Sequence, residues 1–202
     1  MIQRLAEVAG RNVSRETFEK LEAFAALLKK ENARQNLISA STLNQLWERH
    51  ILDSAQLVRL EPRAGASWAD IGSGAGLPGI VIACIVDGPV TLIEPRRLRA
   101  EFLHNACESL QINAMVHAAK AERAGGKYDV ITARAVARLA QLFEISAHLS
   151  TRKTVWTLPK GRNAAAELAE AKQAWQGVFH VEQSVTDADS QIVVATGIRA
   201  RR

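Results

Sequence analysis

The sequence predicts an α/β fold: a largely parallel sheet with helices on both faces, an antiparallel terminal strand pair and a helical extension ahead of the sheet. Three observations predict it. Residues 1–66 carry helical periodicity throughout. From Ser67 onward, short apolar runs alternate with amphipathic stretches, as repeating strand–helix units do. Between the first such run and its helix lies Asp70-Ile71-Gly72-Ser73-Gly74-Ala75-Gly76-Leu77-Pro78-Gly79, with four glycines within eight residues. A strand, a Gly-rich turn and a helix in that order bring backbone N–H groups up to a cofactor.

The elements follow in order. Ser14 is placed to cap a helix with Glu16 in its first turn, and Phe18, Leu21, Phe24, Ala25 and Leu28 recur along one face. Asn36 to Ser39 reads as a connector. One further helical stretch is expected from Thr42 to Leu60, with Leu43, Leu46, Trp47, His50, Ile51, Ser54 and Leu57 in one stripe. Within it, Arg49 and Asp53 lie one turn apart, close enough to pair. Pro62 and Gly65 end the stretch in a linker. The division is therefore 1–66 as an extension packed on the main domain and 67–202 as that domain.

In the main domain, strands are expected at Ser67 to Ile71, Val90 to Ile93, Ala114 to His117, Tyr128 to Thr132 and Thr154 to Leu158. Helices are expected at Ile80 to Val86, Arg96 to Gln111, Val136 to Leu149 and Ala164 to Trp175. In the second of these, Leu98, Phe102, Leu103, Ala106 and Leu110 face inward. Val178 to Val185 and Ile192 to Ala195 form the antiparallel pair, turning at Asp187 to Asp189. The basic tail Arg199 to Arg202 reads as loose.

Bulk properties narrow the class. The 202 residues, 48% hydrophobic and 23% charged, are globular in composition. No apolar run approaches the roughly 20 residues of a membrane span, and the N-terminus lacks a signal-peptide core, so a cytoplasmic location and no membrane partner are expected. Cys84 and Cys107 are too few for a disulfide framework or a metal set, and no metal is expected. A net charge of +5, from 26 basic and 21 acidic residues, suits a nucleic-acid partner without demanding one.

Two cofactor fingerprints overlap at the glycines. Gly74-x-Gly76-x-x-Gly79 matches the dinucleotide pattern. Asp70-x-Gly72-x-Gly74-x-Gly76 matches the pattern of S-adenosylmethionine enzymes, in which the acid helps hold the cofactor's ammonium. Glu94, eighteen residues past Gly76, can accept ribose hydroxyls for either cofactor. From these residues alone an oxidoreductase, a methyltransferase, a non-enzymatic RNA-binding or assembly factor, and a merely structural turn all stay open.

Asn36-Leu37-Ile38-Ser39, Arg49-His50-Ile51-Leu52-Asp53-Ser54, the Asp70–Gly79 turn, Ala121-Glu122, Arg134-Ala135 and Pro159-Lys160-Gly161, in that order, resemble the small-subunit (16S) ribosomal RNA guanine-N7 methyltransferase family, also called glucose-inhibited division protein B or RsmG. The resemblance implies a Rossmann-like fold that binds S-adenosylmethionine and methylates N7 of one guanine in 16S rRNA or the small subunit. It implies cofactor contacts at Gly72, Leu77, Glu94, Ala121, Glu122 and Arg134, beside Asp70, Gly74 and Gly76 from the glycine pattern; a monomer is expected. Relative to the family, the loop between Glu122 and Tyr128 is short, and Pro95 to Arg99 is unusually rich in arginine.

The chemistry agrees with that expectation. Guanine N7 attacks through a lone pair and loses no proton, so alignment and electrostatic support suffice and no residue is assigned a catalytic role. Thr132-Ala133-Arg134-Ala135 replaces the Asn/Asp-Pro-Pro-aromatic motif of exocyclic-amine methyltransferases. Cys84 and Cys107 sit in helical core patterns, unlike the nucleophilic cysteine that carbon-5 methylation needs. Arg49, His50, Arg96, Arg97, Arg138 and Lys160 are candidate RNA contacts, with Arg99 and Arg162 of the same kind. Trp156 reads as a core residue.

Overall fold

The computed structural model describes residues 1–201. The chain opens with α1 (Ile2–Ala9), α2 (Arg15–Gln35) and the single turn α3 (Ala40–Leu43). Ser14 caps α2 by accepting the Thr17 amide at 3.0 Å, and Asn36 ends it in the left-handed region at φ 49°.

The stretch expected as one helix from Thr42 to Leu60 is instead broken. A π-helix covers Trp47–Leu52, a single turn α4 covers Asp53–Ala55, and a 3-10 helix covers Gln56–Leu60. Ser54 Oγ donates to the His50 carbonyl at 2.6 Å, a local bond that competes with the regular ladder. The π-turn also changes which side chains align. Arg49 and Asp53 do not pair with each other, and each finds a partner elsewhere in the chain.

Seven strands follow: β1 (Trp68–Ile71), β2 (Val90–Ile93), β3 (Ala114–His117), β4 (Val130–Thr132), β5 (Val155–Lys160), β6 (Trp175–Gln183) and β7 (Gln191–Ala200). Their order in the sheet is β3-β2-β1-β4-β5-β7-β6, with the first five parallel and β7 antiparallel to both neighbours. Four helices cross between strands: α5 (Gly79–Ile85), α6 (Arg97–Leu110), α7 (Leu139–Ser146) and α8 (Ala164–Ala174). α7 starts three residues later than expected because Val136 to Arg138 belong to the loop after β4. The tail is not loose: Arg199 and Ala200 belong to β7 and pair with Gln176 and Trp175 of β6, while Arg202 lies outside the described residues.

All four residues of β1 and of β2 are buried, as in a parallel sheet covered on both faces. Trp68 faces a core shared with α2, α5 and α6, whereas Ala69 and Ile71 face one built from α7 and α8. In the second core Trp156 is fully buried and meets Phe143 edge-on, with ring centroids 5.1 Å apart. Leu98 departs from the expected inward face of α6. It lies in the first turn and is 56% exposed, while Phe102, Leu103, Ala106 and Leu110 are buried.

Phe24 links the extension to the glycine turn. It is fully buried, and a Cβ added at Gly76 would lie 3.2 Å from its Cζ. Phe24→Ala is expected to cost about 3–5 kcal/mol and, by leaving the turn unsupported, to weaken cofactor binding. Chemical denaturation and calorimetry on the same variant check both effects.

Candidate functional site

The site lies at the carboxyl ends of β1, β2, β4 and β5, where open α/β sheets bind their ligands. Gly72, Gly74 and Gly76 all take positive φ (67°, 52° and 82°), a conformation other residues adopt only with strain. The turn is pinned from beneath. The amides of Gly72 and Ser73 donate to the Ile93 carbonyl at 2.8 and 3.1 Å, and the Gly76 amide donates to the Ser73 carbonyl at 2.7 Å.

Beside the turn is a cleft of about 310 Å³, whose lining brings together Gly72, Glu94, Ala121 and Glu122 with Arg96 and Arg99. Glu94 is buried. Its Oε2 accepts the Gly74 amide and its Oε1 the Arg96 amide, both at 2.9 Å, and each carboxylate oxygen keeps a lone pair for a ligand hydroxyl. A Cβ added at Gly72 would come within 2.7 Å of Val136, so bare backbone at that position keeps the cleft open. These features fit a nucleoside-bearing cofactor: a carboxylate with spare acceptors, and backbone approachable where a side chain would clash. Sequence reasoning missed Val136, which carries no signal beyond its place two residues after Arg134. It grouped Arg99 with surface phosphate contacts, although Arg99 lines this cleft.

Four predicted cofactor residues sit behind the cleft and not on its wall. Gly74, Gly76 and Leu77 are buried in the turn itself. Asp70 is 1% exposed, and its Oδ2 accepts the Gly79 amide at 3.1 Å while Oδ1 has no hydrogen-bond partner among the described residues. Burial pushes its carboxyl up to about 7, against the opposing hydrogen bonds from Ser73 and Gly79.

Arg134 lines a second cleft, of about 490 Å³, which shares Ala135 and Val136 with the first. One segment of the extension holds its guanidinium. NH1 lies 3.4 Å from Asp53 Oδ2 and 3.5 Å from the Arg49 carbonyl, and NH2 donates to His50 Nδ1 at 3.2 Å. A guanidinium has only donors, so His50 Nδ1 must accept, and the ring proton must sit on Nε2, 2.9 Å from Thr42 Oγ1. Burial, with Arg134 and Arg49 nearby, lowers the His50 pKa to about 4, so the ring is neutral near pH 7. Burial also lowers the Arg134 pKa, and the Asp53 carboxylate opposes that shift.

The remaining candidates are spread over several faces. Arg49 pairs with Asp187 at 3.0 Å, and both line a small cavity of about 140 Å³. Arg138 lines the second cleft but pairs with Glu170 at 2.7 Å. Arg97 and Arg162 are tied to Glu101 and Asp189, at 2.9 and 2.6 Å. Arg96 is exposed at the edge of the first cleft. Lys160 is not a free surface cation: its side chain is 11% exposed and pairs with Glu167 at 2.9 Å. Burial raises the Cys84 and Cys107 thiols to about 12 and about 11, leaving neither as a thiolate near neutral pH. Among the described residues there is no cluster of three metal-ligating side chains, and no helix is long and apolar enough to cross a membrane.

A seven-stranded sheet of this order, with a Gly-rich turn after β1 and an acid at the end of β2, defines the Rossmann-like methyltransferase class. A mutant of MtNAS solved in complex with S-adenosylmethionine shares the fold, with a TM-score of 0.59 at 18% identity over 84% of this chain and 72% of that one. The family model GidB, rRNA small subunit methyltransferase G, matches residues 17–193. The ribosomal RNA small subunit methyltransferase G of Zymomonas mobilis is 46% identical over 199 residues, covering 94% of this chain and 90% of its own. The protein of the same name from Sphingopyxis alaskensis is 48% identical, covering 91% of this chain and 80% of its own. The chain belongs to the rRNA small subunit methyltransferase G family. Neither the oxidoreductase nor the assembly-factor alternative finds support among these relatives.

Proposed function

We propose that this protein methylates N7 of a specific guanine in 16S rRNA, acting on the RNA or the small subunit as a monomer in the cytoplasm, with S-adenosylmethionine as donor. The observation that carries this reading is the pair of adjoining clefts at the carboxyl edge of the sheet, in a chain of this family. One cleft has the Gly72 backbone and the Glu94 carboxylate of a cofactor site. The other, sharing the Ala135–Val136 wall, is open to a base.

When bound, S-adenosylmethionine supplies a methyl group on a positively charged sulfur. Glu94 is set to accept the ribose hydroxyls, and Ala121 and Glu122 to flank the adenine. The second cleft holds the base so that N7 faces the shared wall. Because N7 gives up no proton, the chain needs no general base; its contribution is alignment and field, with Arg134 fixed at the junction. The exposed Arg96 and the partly exposed Arg99 are suited to phosphate contact along the approach.

The test is transfer of labelled methyl to 16S rRNA and to small subunits from cells lacking this modification, with the product base identified by mass spectrometry. N7-methylguanine is expected. A methyl on another atom, or none, overturns the reading. Gly74→Val is expected to reduce S-adenosylmethionine affinity by about 100-fold or more, because a β-branched residue fits poorly at φ 52° and would shift the turn that holds Glu94 and carries Gly72. Calorimetry on the folded variant measures it.

A further inference from the structure

We infer, on the basis of the methyl-transfer reading above, that the buried Lys160–Glu167 pair reads the Watson–Crick edge of the target guanine in the cleft of about 490 Å³. Lys160 closes β5 and Glu167 lies in the first turn of α8; both line the second cleft and neither lines the first. The side chains are 11% and 17% exposed, too enclosed for a solvated surface bridge.

The hydrogen-bond count shows what the pair has to spare. Lys160 Nζ donates to the Ala137 carbonyl at 2.9 Å and lies 2.9 Å from Glu167 Oε2, which uses two of its three protons. Glu167 Oε2 also accepts the Leu139 amide at 3.2 Å, while Oε1 has no partner among the described residues. The cleft thus offers one spare donor beside one spare acceptor.

Guanine presents the complement: O6 accepts and the adjacent N1–H and N2–H donate. Adenine reverses the order, with N6–H donating and N1 accepting. Adenine would therefore set donor against donor and acceptor against acceptor in a half-dry cleft. Orientation follows as well. Lys160 reaches Ala137, next to Val136 in the wall shared with the cofactor cleft, and N7 adjoins O6 on the neighbouring edge of the purine, so a base whose O6 meets Lys160 can bring N7 to that same wall. As N7 gains its fourth bond the ring becomes positive, N1–H becomes a stronger donor, and the Glu167 carboxylate holds it more tightly than before attack.

The experiment compares kcat/KM for rRNA carrying guanine, inosine, adenine or 1-methylguanine at the target position. It uses wild type, Glu167→Gln and Lys160→Met, with unfolding midpoints and S-adenosylmethionine affinity measured alongside. For wild type, inosine is expected to stay near guanine, with adenine and 1-methylguanine about 100-fold or more lower. Glu167→Gln is expected to lower the guanine value about 100-fold and to compress the guanine-to-adenine ratio at least about tenfold, with cofactor affinity unchanged within about twofold. A pair that merely braces β5 against α8 would lower stability and all rates together and leave that ratio intact, which overturns the inference. Wild type accepting adenine as well as guanine also overturns it, and needs no variant to fold. Wild type that transfers no methyl to any of the four RNAs overturns the methyl-transfer reading beneath it.

Discussion

Arg134→Ala is expected to lower methyl transfer by about 10²–10³-fold while leaving S-adenosylmethionine affinity within about tenfold. Arg134 lines the second cleft and not the first, so its loss falls on the base and not on the nucleoside pocket. Three groups from Arg49, His50 and Asp53 hold the guanidinium, and removing it leaves His50 Nδ1 and Asp53 Oδ2 facing an enclosed gap. That costs about 1–3 kcal/mol in stability, enough to lower the unfolding midpoint without unfolding the chain. Arg134→Lys should recover little, because one ammonium cannot reach acceptors arranged for a planar fork. Steady-state kinetics on rRNA, with calorimetry for the cofactor, separate the two effects. A loss confined to cofactor affinity would place Arg134 in the other cleft.

The second large effect concerns Asp70. Its carboxyl is raised from the usual 3.8 to about 7, so the folded chain holds a proton there that the unfolded chain releases above about pH 4. Stability from this group is full below pH 4, falls as pH climbs from 4 to 7, and is gone above that, a change on the order of a few kcal/mol. His50 works in the opposite direction. Its pKa is lowered to about 4, so stability from His50 rises between pH 4 and 6.5, and the two slopes partly cancel in wild type. The difference between Asp70→Asn and wild type isolates Asp70. Asparagine keeps an acceptor for the Gly79 amide and cannot ionise, so the variant should gain on wild type by a few kcal/mol as pH rises from 5 to 8. Asp129 and Asp187, whose carboxyls hydrogen bonds hold below the usual range, act only under pH 4 and do not enter this window. Denaturation series at each pH read the effect, and a flat difference would show that Asp70 is ionised in the folded chain.

Local signals made much of the fold legible. Short apolar runs, helical apolar patterns, a Gly-rich turn and an acid at a strand end are short-range features, and the five parallel strands they marked lie within two residues of where they are expected, while β6 begins three residues early and β7 runs five residues past Ala195. What escaped depends on contacts made at long range. The helical stripe from Thr42 to Leu60 gives no sign of a π-turn, since one extra residue in a turn leaves hydropathy almost unchanged. The pairings of Arg49 with Asp187 and of Asp53 with Arg134 span 138 and 81 residues, where i,i+4 spacing favoured a local pair. Asp70 was read as pointing at a cofactor, but strand alternation turns its side chain under α5, where it meets the Gly79 amide. Lys160 reads from the sequence as an RNA phosphate contact, with no sign of its burial, because Glu167 is seven residues on, in a helix whose packing no local pattern sets.

The bonds between the π-turn region and the loop joining β6 to β7 also bear on timing. Gln56 bonds Ser184 and Val185, Asp53 bonds Thr186, and Arg49 bonds Asp187, across separations of 128 to 138 residues. These are the same residues, or near neighbours of those, that clamp Arg134. Contacts at such separations form late, after most of the chain has been ordered. A growing chain can therefore complete the strands from β1 to β4 and the start of α7, and so a nucleoside pocket, before the part of the base cleft built from β5, α8 and β7 exists. Competence for the cofactor should precede competence for RNA, and a nascent chain emerging beside rRNA would be inert toward it until the last hairpin docks.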